Sequence, residues 1–245
     1  MNRTEITALI AKEGLSYQEI VTEWADHGLI DLKELENSLR ELRQQREYVA
    51  AKGDVAAGMY LHKNGKIGRM FNYKECTAVI LNVDRQKDEL LMMSLNGKTL
   101  PFSSQGYCFD TQWLSCGLNA THMMSQMADD AGAEVEAVRF CLGYSDAFVR
   151  EGAAFLMTEE EVLKLRPNSM QIMTALNAAQ VPTSGFWLST AIEKSLKADE
   201  AENNVALYFT LQQDGITIGK ECTTTPKAVY PVYNLHFSSL NGIKN

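Results

Sequence analysis

The spacing of apolar positions divides the chain into a helical beginning and a strand-rich remainder. Residues 1–52 carry apolar side chains at helical steps. Within them Ser16-Tyr17-Gln18-Glu19 has the form of a capping box, the serine accepting from the third helical amide and the glutamate turning back to the cap. Gly28 breaks this pattern and Asp31-Leu32-Lys33-Glu34 starts a second helix. From there Leu32, Leu35, Leu39, Leu42 and Val49 fall on one seam, interrupted at Arg46 and flanked by Glu36, Arg40, Arg43, Gln44 and Glu47. The seam is shorter than the roughly three to four heptads that define a coiled coil. Two readings follow: homo-oligomerisation through those five residues, or a helix packed on its own domain or in a helical hairpin.

From Lys52-Gly53-Asp54 onward the period changes to that of strands. Gly58–His62 alternates and is followed by a turn at Lys63-Asn64-Gly65-Lys66, Asn-Gly between apolar alternation being the strongest short hairpin signal. Thr77–Asp84 and Glu89–Leu95 are near-continuous apolar runs joined by a polar stretch, as expected of hairpin strands covered on both faces. A helix is expected from Leu118 to about Ala131, with Met123, Met124 and Met127 filling core gaps, and a second from about Glu134 to Leu142. Thr158-Glu159-Glu160-Glu161 caps a further helix running through Leu165, Pro167 ends it, and another spans about Ser169 to Gln180. Strands return at Gly185–Thr190. A hairpin follows from Val205–Leu211 and Ile216–Gly219 around Asp214-Gly215, and Val229–Phe237 closes the chain. The order predicts an α+β fold, with residues 1–52 as a helical segment and 53–245 as a β-rich domain into which 53–100 leads.

The stretch from Phe155-Leu156-Met157-Thr158-Glu159-Glu160-Glu161 to Gly185-Phe186-Trp187-Leu188-Ser189-Thr190 carries a recognisable pattern. Ala206-Leu207-Tyr208-Phe209, Asp214-Gly215 and Tyr230-Pro231-Val232-Tyr233-Asn234-Leu235 extend it. Together these residues resemble the Lcl C-terminal type of bacterial C-type-lectin-like domain, over roughly Gly58–Phe237 and most strongly after Leu156. Met157 stands where that pattern has proline, Leu188 where it has serine, and Tyr230 and Tyr233 where it has arginine, so the chain reads as a divergent member. The resemblance implies a C-type-lectin-like core. Its matching residues build that core, so it identifies no ligand.

Candidate chemistry narrows the picture by exclusion. The loop Glu193–Asn204 is rich enough in oxygen donors for calcium to be considered, yet the Glu-Pro-Asn and Trp-Asn-Asp signatures of calcium-dependent lectins are absent, so the loop reads as solvated and no cofactor is expected. Cys108, Cys116 and His122 lie too far apart for a zinc knuckle. No Gly-x-Ser-x-Gly is present, the four histidines sit in unrelated contexts, and only Cys222 falls where formylglycine-generating relatives keep a cysteine pair. No glycine-rich phosphate loop occurs. No enzyme is expected. Five cysteines at irregular spacing suit reduced structural thiols.

A net charge of −8 disfavours nucleic acid and anionic lipid as partners. Without a signal-like or membrane-spanning apolar run, the expectation is synthesis in the cytoplasm and, for a lectin-like module, incorporation in a virion or extracellular particle. Recognition is therefore assigned to loops. The candidates are Glu193, Lys194, Asn203 and Asn204 in one loop, and Lys220, Glu221, Thr223, Thr224 and Thr225 in a second loop spanning Lys220–Lys227. Trp113, in a polar stretch, is the aromatic expected to stack on a ligand, whereas the resemblance implies that Trp187, in its strand motif, belongs to the core. The function these features suggest is a non-catalytic, adhesin-like module binding carbohydrate or protein, as part of a phage tail or surface assembly. The alternative is an intracellular structural or interaction protein using the same fold without sugar binding.

Overall fold

The computed structural model describes residues 53–68, 73–192 and 204–240. The N-terminal helical segment, its leucine seam, and Glu193, Lys194 and Asn203 lie outside them. The fold is a mixed α+β arrangement built on two sheets. Strands β1 (Tyr60–His62), β2 (Ile67–Gly68), β3 (Cys76–Asp84), β4 (Glu89–Ser94) and β10 (Val232–His236) form the first sheet in the order β10-β4-β3-β1-β2. Strands β5 (Lys98–Leu100), β6 (Phe186–Ile192), β7 (Val205–Gln212), β8 (Gly215–Cys222) and β9 (Lys227–Val229) form the second in the order β5-β9-β6-β7-β8. Between β5 and β6 come helices α1 (Gly117–Ala131), α2 (Glu136–Leu142), α3 (Glu159–Leu163) and α4 (Ser169–Ala178).

Local chemistry explains most of these elements. Asn64-Gly65 turns β1 into β2, with Gly65 at φ +80°. Asp84 Oδ1 accepts from the Gln86 and Lys87 amides, closing the turn between β3 and β4. The expected capping box forms: Glu161 N–H donates to Thr158 Oγ1 at 3.2 Å, and Thr158 N–H donates to Glu161 Oε2 at 2.9 Å. Glu161 also accepts from Gly117 N–H at 3.0 Å, so one carboxylate ties the starts of α1 and α3. The helix it caps ends at Leu163, short of the expected Leu165, because Arg166–Asn168 tightens into a 3-10 turn around Pro167. Helix α4 stops at Ala178 ahead of Gln180, which adopts a left-handed φ of 60°.

Two other expectations need correction. Val229–Phe237 is not one strand. It breaks at Tyr230-Pro231, and its halves join different sheets: β9 runs parallel to β6, and β10 pairs antiparallel with β4. Proline has no N–H for a ladder, which makes this the natural break. Lys220–Lys227 is not a free loop either, since Lys220 and Glu221 are strand residues of β8 paired with Leu207 and Ala206.

Hydrophobic burial stacks these parts in layers. A middle core joins Tyr60, Val79, Leu81 and Met93 of the first sheet to Phe186, Leu188, Leu207 and Phe209 of the second, with Val162, Ile172 and Leu176 of the short helices between. Beyond the second sheet, Trp187, Ala206 and Val229 pack against Met124, Ala128, Val138 and Cys141 of α1 and α2. Beyond the first, Leu61, Ile80, Leu90 and Tyr233 are covered by Val149, Ala154 and Phe237. Both sheets are thus covered on both faces, as the apolar runs of β3 and β4 require.

Candidate functional site

The irregular segment 101–116 leads from β5 to α1 and runs across the ends of three strands of the second sheet. Ser103 N–H donates to Thr223 O at 3.1 Å just past β8, and Ser103 Oγ donates to Glu134 O at 2.6 Å. Asn204 Nδ2 donates to Gly106 O at 3.2 Å just before β7. Thr111 is the strongest anchor. Its hydroxyl donates to Ser189 O at 2.6 Å and accepts from Ala191 N–H at 3.1 Å, at the far end of β6. Ser103, Thr111 and Asn204 are all buried, and their bonds fix the strap because breaking one leaves polar groups without water.

Immediately after Thr111 the chain makes a turn, with Leu114 N–H donating to Thr111 O at 3.0 Å. Trp113 stands at its tip, 67% exposed. Asp110, Gln112 and Ser115 beside it are exposed too, and Asp110 Oδ1 accepts from both the Gln112 amide and its side-chain Nε2. An exposed indole flanked by polar groups on a turn whose stem is pinned to a sheet is suited to stacking, and its backbone is ordered in advance.

The remaining sequence-selected residues fall in different places. Asn204 and Thr223 are buried beneath the strap, where Thr223 N–H donates to Asn204 O at 3.2 Å and the Thr223 hydroxyl has no hydrogen-bond partner among the described residues. They hold the strap instead of facing solvent. Thr224 is exposed in the turn after β8, with its hydroxyl 3.2 Å from Cys222 Sγ, and Thr225 is half-buried. Lys220 is exposed on β8. Glu221 pairs with Lys227 at 3.5 Å, and Lys227 lies 4.0 Å from the centre of the Tyr208 ring. Trp187 is buried, donating Nε1–H to Leu100 O at 3.1 Å. The structure therefore brings Trp113, Asn204 and Thr223 to one strap, Trp113 on it at the β6 end, Asn204 and Thr223 beneath it at the β7 and β8 ends.

Other chemistry is sparse. Among the described residues no group of three or more His, Cys, Asp or Glu side chains could hold a metal ion. All five cysteines are free thiols. Burial pushes the Cys141 thiol up, and burial together with Glu75 pushes Cys76 to about 11, so both stay protonated near neutrality. A shallow cleft of about 520 Å³ lies among Ser125, Arg139, Leu142, Gly143, Glu151 and Gly152, where Arg139 is already bonded to Asp129 at 2.7 Å. Among the described residues no helix is long and apolar enough to cross a membrane.

Sequence reasoning passed over the anchors. Thr111 and Ser103 look like ordinary loop residues, and nothing local reveals bonds to partners such as Ser189. No protein-family model, curated protein or solved structure matches the chain.

Proposed function

We propose that this protein is a non-catalytic, adhesin-like recognition module whose ligand is a carbohydrate, bound at the Trp113 turn. The observation that carries the reading is Trp113 itself: 67% exposed on a turn whose stem is held by buried hydrogen bonds. A single exposed apolar side chain is ordinary on a protein surface, so the weight falls on the indole standing on a turn whose stem is pinned and whose neighbours are polar. A turn already fixed in place does not lose further backbone freedom on binding. The neighbours favour a sugar over an apolar protein surface. Asp110, Gln112 and Ser115 offer carboxylate, amide and hydroxyl groups around the ring, matching the mixture of C–H faces and hydroxyls on a pyranose.

The resemblance to C-type-lectin-like domains of the Lcl C-terminal type supports the same reading and extends it to a component of a phage tail or surface particle. A glycan array probed with the full chain and with Trp113→Ala tests it. Binding that the substitution abolishes is the expected outcome. A blank array with folded protein would remove the carbohydrate and leave the interaction-protein alternative. Binding unaffected by the substitution would move the site away from Trp113.

A further inference from the structure

The outer edge of the second sheet is β8, and two hydrogen bonds fix which of its backbone groups point outward. Leu211 N–H donates to Thr183 O at 2.8 Å, away from β8, while Thr223 N–H donates to Asn204 O at 3.2 Å. The β7–β8 register is unbroken from Val205↔Cys222 to Gln212↔Gly215. In an antiparallel pair the inward- and outward-bonding residues alternate. Thr217, Gly219 and Glu221 therefore bond inward to β7, and Ile216, Ile218 and Lys220 direct N–H and C=O outward. No partner for those outward groups occurs among the described residues. At the far end, Cys222 O accepts from Thr225 N–H at 3.0 Å, which closes the open stretch. The strand has no proline, and only Lys220 and Glu221 carry charge, so little guards it against pairing.

We propose that this edge pairs antiparallel with the same edge of a second copy, Ile218 lying opposite Ile218 of the partner subunit. The outward residues 216, 218 and 220 are symmetric about 218. One two-fold arrangement thus satisfies all three N–H and all three C=O groups on each copy, the self-complementarity that a closed dimer requires. Any extended peptide could satisfy the backbone, and the charges select a second copy. In this register Lys220 lies opposite Ile216 of the partner subunit, and the turn that opens the partner's β8 brings Asp214 of the partner subunit two positions further on, a span the long lysine side chain can bridge. Lys220 and Asp214 are both exposed, and neither makes an ion pair among the described residues. The symmetry makes the pair twice. The result is one continuous sheet across the two copies, with the Trp113 turns at the β6 ends well away from the seam.

The test is sedimentation velocity of the full chain over a range of concentrations, with amide exchange read at Ile216, Ile218 and Lys220. A dimer whose formation protects those three amides is expected. Lys220→Pro removes one outward N–H and leaves the inward ladder to β7 intact, and it should give a monomer with unchanged circular dichroism. Lys220→Asp should raise the dissociation constant about tenfold by turning two attractions into two repulsions. Adding Asp214→Lys to the same chain should restore it. A wild-type chain that stays monomeric overturns the proposal. So does a dimer indifferent to both changes at 220, which would place the contact elsewhere, and so does a charge swap that fails to restore association.

Discussion

The first sheet ends in short strands: β2 has two residues, and the outer side of β10 is partly taken by Phe155, which exchanges hydrogen bonds with Val232 at 2.8 and 3.0 Å. The second sheet ends on one side in β8, eight residues long and without a backbone partner on its outer edge among the described residues, and its strand ends are crossed by the 101–116 strap that presents Trp113. What holds each region differs as well. The first sheet is secured by apolar layers on both faces, around Ile80 and Leu61 on one side and Val79 and Leu81 on the other. The strap depends on a few side-chain hydrogen bonds to backbone. Apolar burial is spread over many contacts and is insensitive to direction, so it makes a framework. Hydrogen bonds from Thr111 or Ser103 hold one loop in one geometry, which a recognition surface needs.

The comparison breaks first under substitution in the framework. Ile80→Ala, at a fully buried position of β3, should lower unfolding free energy by about 2–5 kcal/mol, since it removes methylene contacts and leaves a cavity between covered faces. Urea denaturation measures this, and binding at the Trp113 turn should persist in the folded fraction. If Ile80→Ala were tolerated within experimental error, the first sheet would not be the rigid half.

Thr111→Val is the matching cut in the strap. It keeps the side chain's shape but removes the hydroxyl that donates to Ser189 O and accepts from Ala191 N–H, so two buried backbone groups lose their partner. The expected cost is about 1–3 kcal/mol in unfolding free energy, below that of Ile80→Ala. Unlike the core substitution it should weaken ligand binding in the folded protein, because the stem of the turn is released. Equal losses of binding in the two variants would erase the distinction between framework and strap.

Much of the framework was legible because its signals are local. The capping box of Thr158 and Glu161 needs residues three apart, and the hairpin needs only the Asn64-Gly65 turn signal between two apolar strands. The exposure of Trp113 followed from its polar neighbours, whereas the burial of Trp187 was an expectation carried by the strand motif of the lectin-like resemblance. What could not be read is what the chain makes across long separations. Thr111 and Ser189 stand 78 positions apart, and Ser103 meets Glu134 across 31. Strand β5, Lys98–Leu100, is too short and polar to show a period and exists because β9 is there to pair with it. The division of β9 from β10 had a signal in Pro231, but which sheet each half joins is decided by packing.

Alkaline pH reaches the join between the first sheet and the helices. Tyr60 O–H donates to Ala175 O at 2.6 Å, and burial, with Cys76 nearby, pushes its ionisation up to about 12 from the ordinary value of 10.0. Because the folded value lies above the unfolded one, this contribution is fully present below about pH 10 and is lost as pH rises toward 12. Stability measured by urea titration should therefore fall across that window, with Cys76, raised to about 11, adding to the fall. Tyr60→Phe should cost about 1 kcal/mol at neutral pH and flatten the alkaline slope. A slope identical to wild type would remove Tyr60 as its source.

Trp113→Ala should have the smallest effect on stability and the sharpest consequence for the comparison. The indole is 67% exposed and contributes to none of the three buried clusters, so its removal should change unfolding free energy by no more than about 0.5 kcal/mol. The turn beneath it keeps the Leu114 amide bonded to Thr111 O and the hydroxyl of Thr111 bonded to β6, so the backbone has no reason to move. Thermal melting and amide exchange of the Thr111 and Ala191 amides check both points. If melting falls as far as in Thr111→Val, Trp113 is part of what holds the strap, and its exposure is no longer evidence for a partner. If melting is unchanged and binding is lost, the strap carries a side chain that the fold does not need, and the lost binding assigns it to the ligand.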